Sequence, residues 1–475
     1  MNSSSTRRGD AYLAIKSGFW YLMSTFITKG LSFLVIPLFA RLLIPSAFGE
    51  FSNFVNWQSL LTIVIGLEMY SSLSVAFYDY RSNYDRYASS IAIMGTIIAI
   101  IIYILALKYD YIIFKILSIP PQYVHLMIFA IIFQNIKQVF LIREKTLYHY
   151  KSVSIISLLS LVVPTIISMI LVLLCDESQR LDARIYGFFV PYGLIGVYCA
   201  YDIFRKNISL DFEYVKYAVI IAFPLLVHHL TTYILLSTNT IVTKNLLGSE
   251  TAAIVSITMS LMNIILLLFQ AANGAMTTWI MDCLESQQYS KIENSYKYFF
   301  SIASFITLCV ILLAPEIVMI IGGAKYVQAI NLIPGFALSM LFQVFASTFI
   351  IILTYQKSIK ATALLSGVIA ILGVVIKIVY LQTTGIEILP IINIISFGVL
   401  FVGNLYFVVK NGFAKCINVK HTFLLITAIF SVCLFAENLY NNIIRYIIIL
   451  LLLIFFASMV INNKDKMIRL YKTRQ

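Results

Sequence analysis

The feature that most constrains this chain is a succession of apolar runs, each long enough to cross a bilayer and each stopped by a short cluster of charged residues. At 1.5 Å per residue, about 20 helical residues cross the roughly 30 Å hydrocarbon layer, where each backbone amide must be satisfied within its own helix. Such runs recur about fourteen times. Their approximate centres are Leu31, Ile63, Ala99, Phe133, Val163, Leu194, Leu226, Ile265, Thr307, Phe345, Leu372, Phe397, Phe430 and Leu452, and the thirteenth, His421 to Glu437, is short. They predict an all-α polytopic membrane protein. Composition agrees: 60% of the 475 residues are hydrophobic and only 12% are charged, whereas a soluble chain carries about a quarter. A large soluble domain has no room here.

The formal charge of +13 is dispersed in small clusters between the apolar runs, which excludes a nucleic-acid-binding stripe. With a cytoplasmic N-terminus, the cytoplasmic side collects about three times as many Lys and Arg as the other, the bias expected of short inside loops. Both termini are therefore predicted cytoplasmic, in the inner (plasma) membrane. The first run, Phe19 to Ala40, is too long for a signal-peptide core and lacks a small-residue cleavage site, so it should remain as the first span. The basic run Lys464–Arg474 is read as a stop-transfer anchor, with attraction of anionic lipid as the other reading. External connections are short, the longest being Lys108 to Pro121 and Pro315 to Gln328, so no catalytic ectodomain fits and no catalytic residue is assigned. The six Cys show no CxxC spacing, no metal site is indicated, and no phosphate-binding Gly-rich loop or cofactor is expected.

An internal repeat appears at a shift of 203 positions. Ala40-Arg41-Leu42-Leu43-Ile44-Pro45-Ser46 lies over Thr243-Lys244-Asn245-Leu246-Leu247-Gly248-Ser249, Asp79 over Asp282, and Gln122-Tyr123-Val124 over Lys325-Tyr326-Val327. The expected organisation is a six-helix lobe over residues 1–210, a second over 211–412, and an additional helix pair with a basic tail over 413–475. Six being even, both lobes enter the membrane in one direction, as a parallel repeat.

An ionisable group at mid-bilayer costs about 2.5–3.5 kcal/mol, which makes each one a functional candidate. Lys29 shares a helix face with Thr25 and Ser32, Lys137 with Gln134 and Glu144, and Lys377 with Ser366, Ala370 and Gly373. These lysines could line a cationic cavity or snorkel from nearby helix ends, and Lys29 could pair with Glu68. Arg41 and Arg143 close their helices, as further cavity cations or as anchors. Glu68, on a face with Gln58, Leu61, Ile65 and Ser72, is either an ion or proton site or a structural partner. His228 and His229 follow the kink-prone Pro224 and could titrate or simply pack. Asn263, Gln270 and Asn273 draw a polar stripe suited equally to sugar hydroxyls or to interhelical hydrogen bonds. Pro37, Pro164, Pro191, Pro224, Pro334 and Pro390 could act as bending points.

Two blocks carry a family resemblance. One is Lys16-Ser17-Gly18-Phe19-Trp20 followed by Pro37-Leu38-Phe39-Ala40-Arg41-Leu42-Leu43-Ile44-Pro45-Ser46-Ala47-Phe48-Gly49; the other runs from Pro315-Glu316-Ile317 through Gly322-Gly323-Ala324-Lys325-Tyr326. Over about the first 410 residues the chain resembles the polysaccharide (O-antigen, Wzx-type) flippases of the multidrug, oligosaccharidyl-lipid and polysaccharide exporter superfamily. Many members have about twelve helices, so the extra pair departs from that pattern. The resemblance implies a V-shaped, two-lobed bundle that moves an undecaprenyl-diphosphate-linked oligosaccharide repeat unit from the cytoplasmic to the periplasmic leaflet by alternating access. Membrane lipids, a polysaccharide polymerase and a chain-length regulator are then the expected partners. The rival readings are a multidrug exporter of the same superfamily, which calls for cavity carboxylates, and a membrane polysaccharide polymerase, which calls for a sizeable external loop.

Overall fold

In the computed structural model, which describes residues 3–356 and 358–454, the chain is a series of helices with no strand among the described residues. The first half runs α1 (Ser3–Leu42), α2 (Pro45–Gly66), the short α3 (Leu73–Asp79), α4 (Tyr84–Lys108), α5 (Asp110–Leu117), α6 (Pro121–Thr146), α7 (Tyr150–Leu174) and α8 (Arg180–Lys206). The second half runs α9 (Phe212–Leu247), α10 (Ser249–Glu285), α11 (Tyr289–Leu312), α12 (Ala314–Ile321), α13 (Ala329–Tyr355), α14 (Ile359–Thr384) and α15 (Ile388–Lys410). Then follow α16 (Val419–Tyr440) and α17 (Ile444–Ile454).

Element order repeats between the halves. The starts of α2 and α10, of α4 and α11, and of α5 and α12 lie 204 or 205 positions apart. The two longest external connections, expected as loops, thus each contain an eight-residue helix, α5 and α12. Pro45 and Pro121 stand at the first turns of α2 and α6, where a missing amide costs nothing. Asp211 caps α9 by accepting from the Glu213 amide at 2.9 Å, and Asn418 caps α16 through the His421 amide at 2.9 Å. Gly248, at φ 92°, makes the tight turn between α9 and α10.

This is a multi-pass membrane protein. Eleven described helices are long and apolar enough to cross a bilayer, or twelve if α2 and Met69–Asp79, bent by 56° to each other, form one span. The fourteen runs of the sequence add α10, which falls outside that set, and α17, whose described part is a shorter apolar helix. The basic run Lys464–Arg474 lies outside the described residues. Of the prolines expected to bend helices, Pro37, Pro164, Pro191 and Pro334 are inside helices. Pro390 differs: it sits in the first turn of α15, where no helical hydrogen bond is lost.

The helices form two compact units, Met1–Ser256 with Ala370–Thr383, and Ile257–Ile369 with Thr384–Gln475. In the first, α6 packs on α8, α4 and α2, α7 on α8 and α1, and α9 on α2. Its interior is built from Met69, Leu73, Tyr87, Ile136 and Phe140 and from Phe54, Met127, Ile131 and Phe189. Lipid gives helices little hydrophobic reason to associate, so close backbone approach matters. At Gly49 a Cβ would fall 1.8 Å from the Ser249 carbonyl oxygen, so only glycine permits the contact.

In the second unit α13 is the central helix, with 78% of its apolar window buried and with α15, α11 and α16 around it. Phe300 and Phe345 meet there with tilted rings, centroids 4.0 Å apart. Arg445, at the start of α17, reaches Glu316 of α12 through both terminal nitrogens, at 3.2 and 2.5 Å, and the Leu312 carbonyl at 3.3 Å.

Candidate functional site

α2 and the segment Met69–Asp79 are bent by 56° to each other, and the break between them carries the carboxylate. Leu67 and Glu68 follow Gly66 with φ of 47° and 53°, two consecutive side-chain-bearing residues in the left-handed region. Each costs about 1–2 kcal/mol, so neighbours must hold them there. Sequence periodicity put Glu68 on a helical face with Gln58 and Ser72; the break removes it from that face. The residue is 2% exposed, with Oε1 3.2 Å from Nδ1 of His229 on α9. The other oxygen, Oε2, is buried without a hydrogen bond. Asn135 of α6 abuts the same break: a Cβ on Gly66 would lie 2.5 Å from its Oδ1. Both amide atoms of Asn135 are buried and unbonded. Glu68 thus pairs with His229 and interacts with Tyr70, while Lys29 is exposed on α1.

A second polar group lies along α6. Gln58 of α2 donates Nε2–H to Oε1 of Gln134 at 2.7 Å, and the Tyr192 hydroxyl of α8 donates to the same oxygen at 3.3 Å. Lys137, 7% exposed, donates Nζ–H to the Tyr192 hydroxyl, and its ammonium stands 3.9 Å from the Tyr192 ring centroid. A desolvated cation over an aromatic face gains about 2 kcal/mol, less than the cost of a full charge at this depth. Glu144, two turns along α6 from Lys137, is 3.4 Å from Arg143 and 2.9 Å from His149. Among the described ion pairs none includes Lys137, which rests on neutral dipoles and a ring.

Lys377 is likewise buried without a described carboxylate partner. It is 0% exposed and donates to the Leu235 carbonyl at 3.0 Å and the Thr238 hydroxyl at 3.2 Å, joining α14 to α9 in the first unit. Arg143 is different. It is 1% exposed and meets Asp85 at 2.8 Å, Asp202 at 3.1 Å and Glu144 at 3.4 Å, an ion network that ties α4, α6 and α8 together. Arg41 is exposed in the last turn of α1. The side chain of His228 lies outside the described residues. On α10, Asn263 and Gln270 are exposed, and Asn273 donates weakly to Ser347 at 3.5 Å.

Arg184, not a candidate from sequence, is inside α8 and 4% exposed. It donates to the Ser168 hydroxyl at 2.9 Å, and its guanidinium lies 3.5 Å from the Phe39 ring centroid and 4.2 Å from that of Phe51. Tyr192 and Asn135 were not singled out from sequence either. A polar residue in an apolar run was their only signal, and tyrosine at such a place is common.

Ionisable groups held inside a helical bundle and helices interrupted at mid-membrane are features that membrane transporters use at their ion and substrate sites. Residues 14–280 match the polysaccharide biosynthesis protein family, and the chain belongs to that family. Comparison with curated protein sequences gives no match. Among solved structures, the inward closed conformation of the lipid II flippase MurJ superposes with a TM-score of 0.72 at 14% identity, covering 94% of this chain and 99% of that one. An inward-facing MATE multidrug resistance transporter of the MOP superfamily gives 0.61 at 16% identity, covering 85% and 96%. A MOP superfamily transporter from Pyrococcus furiosus, described as having a binding pocket of reverse polarity, gives 0.56 at 14%, covering 82% and 94%. At these identities the likeness is one of fold.

Proposed function

We propose that the chain flips an undecaprenyl-diphosphate-linked oligosaccharide repeat unit, of O-antigen or a related surface polysaccharide, across the inner membrane by alternating access. The observation that carries this reading is Lys137, a buried ammonium near the middle of α6 balanced by Gln134, Tyr192 and a ring instead of a carboxylate. A diphosphate does not cross about 30 Å of hydrocarbon unaided. Lys137 supplies the opposite charge within the protein, Lys377 adds a second buried ammonium in the same unit, and the Gln58–Gln134 pair offers amides to sugar hydroxyls. The polyprenyl chain remains in lipid, so no bond is made or broken.

Energy comes from the membrane potential, about 2.3 kcal/mol per charge per 100 mV, or from an ion exchanged at Glu68 and His229. A polysaccharide polymerase and a chain-length regulator would act on the delivered units. The family match to polysaccharide biosynthesis and the fold of a lipid II flippase support this reading. An exporter of cationic drugs has the same fold among its relatives but would need a cavity carboxylate, and the buried Glu68 is already paired with His229.

The test is the lipid pool of cells lacking the chain. Single lipid-linked repeat units accumulating on the cytoplasmic face, together with loss of surface polymer, support the proposal. Unchanged polymer with raised drug sensitivity would move drug export to the front.

A further inference from the structure

The lipid-facing side of the first unit carries a groove that the polar groups above do not use. Consecutive spans α7 and α8 pack side by side in opposite directions. Pro164 lies 14 residues from Tyr150 at the start of α7, and Pro191 lies 15 residues from Lys206 at the end of α8, so the two prolines stand level. Each removes an amide from its helix ladder and favours a bend there. From that level toward the basic ends of the pair runs a groove of about 530 Å³. Ile155, Leu159, Val163 and Ile167 form its α7 wall at four-residue spacing, and Leu194 and Tyr198 its α8 wall. Leu159 and Leu194 are 41% and 66% exposed. Only 28% of the α7 apolar window is buried, so the groove opens on hydrocarbon.

Its mouth is cationic. Lys151 precedes Ile155 by one turn and is exposed, with no described ion pair. Arg205 follows Tyr198 by two turns on the same face, 5.6 Å from the Tyr201 ring centroid. The carboxylates at this end, Asp202, Asp85 and Glu144, are already held by Arg143, Arg205 and Lys206, which leaves the charge of Lys151 unmatched among the described ion pairs. Length then selects the occupant. From Ser152 to Ile167 the groove follows about 22 Å of helix, whereas one leaflet offers about 15 Å of hydrocarbon, half of the usual core. A phospholipid acyl chain anchored at the mouth ends near the midplane, while a polyprenyl chain continues past it.

We propose that the α7–α8 groove seats the polyprenyl chain of a polyprenyl phosphate or diphosphate lipid, with the phosphate at Lys151 and Arg205. The inference rests on the substrate class given above for its biological meaning, but its test needs no transport. The full-length purified chain is mixed with undecaprenyl phosphate bearing no sugar, with phosphatidylglycerol as competitor, and bound lipid is counted by native mass spectrometry. The paired substitution Leu159→Trp and Leu194→Trp, which fills the groove, and the surface pair Lys151→Gln and Arg205→Gln are each expected to lower undecaprenyl phosphate binding about tenfold without changing phosphatidylglycerol binding. A photoreactive undecaprenyl phosphate should cross-link to peptides of α7 and α8. Wild-type binding in folded variants, cross-links elsewhere, or equal displacement by phosphatidylglycerol would overturn the proposal. If the Trp pair does not fold, the surface pair and the cross-link decide. Cells that make normal polymer without this chain would remove the transport reading and leave the binding result standing.

Discussion

His229 on α9 meets Glu68 at the break after α2, with Nδ1 3.2 Å from Oε1. The contact joins the strained turn at Leu67–Glu68 to α9. Glu68→Gln keeps the shape and removes the charge. It is expected to lower surface-polymer complementation about tenfold at unchanged membrane level, and His229→Ala is expected to lower it less. A purely structural role would appear as reduced protein level for both variants on immunoblots.

The Tyr192 hydroxyl links Lys137 to Gln134. Tyr192→Phe leaves the aromatic face under the ammonium and removes the bridge. A cost of about 1 kcal/mol, the usual worth of one hydrogen bond, is expected in thermal unfolding of the purified protein. Tyr192→Ala removes the ring as well and is expected to cost about twice that.

Asp202 at 9% side-chain exposure and Asp85 at 48% share Arg143. Removing the buried partner leaves a buried guanidinium short of charge, so Asp202→Asn is expected to destabilise by about 3 kcal/mol. Asp85→Asn, at the solvated end, should cost about 1 kcal/mol or less. The comparison of unfolding midpoints for the two variants checks this order.

Apolar periodicity made the helices and their approximate number legible, because in lipid a span must be helical and about 20 residues long. Spacing could not reveal the break after Gly66, since nothing local in Leu67-Glu68 demands positive φ and packing imposes it. The same limit applies to α5 and α12, whose lengths fall below that of a span. Buried lysines stood out by their cost, as with Lys137 and Lys377. Their partners did not, because Tyr192, Thr238 and the Leu235 carbonyl are distant in sequence and chemically ordinary. Arg143 illustrates the opposite limit: it reads as a cavity cation or an anchor closing its helix, yet it is the centre of an ion network.

Gln287, exposed in the turn between α10 and α11, has φ 55°. Glycine adopts that conformation without the Cβ penalty, partly offset by its greater freedom when unfolded. Gln287→Gly should therefore stabilise the purified protein by about 0.5 kcal/mol, visible as a small rise in unfolding temperature with transport unchanged.

The most direct test of the central claim compares wild type, Lys137→Ala and Lys137→Arg in cells lacking the chain, at matched membrane levels, reading surface polymer and the sidedness of lipid-linked repeat units. The account predicts that wild type restores polymer. Lys137→Ala should leave single repeat units on the cytoplasmic face, and Lys137→Arg should recover part of the polymer through its retained charge. Full restoration by Lys137→Ala, or repeat units accumulating on the periplasmic face, would contradict it.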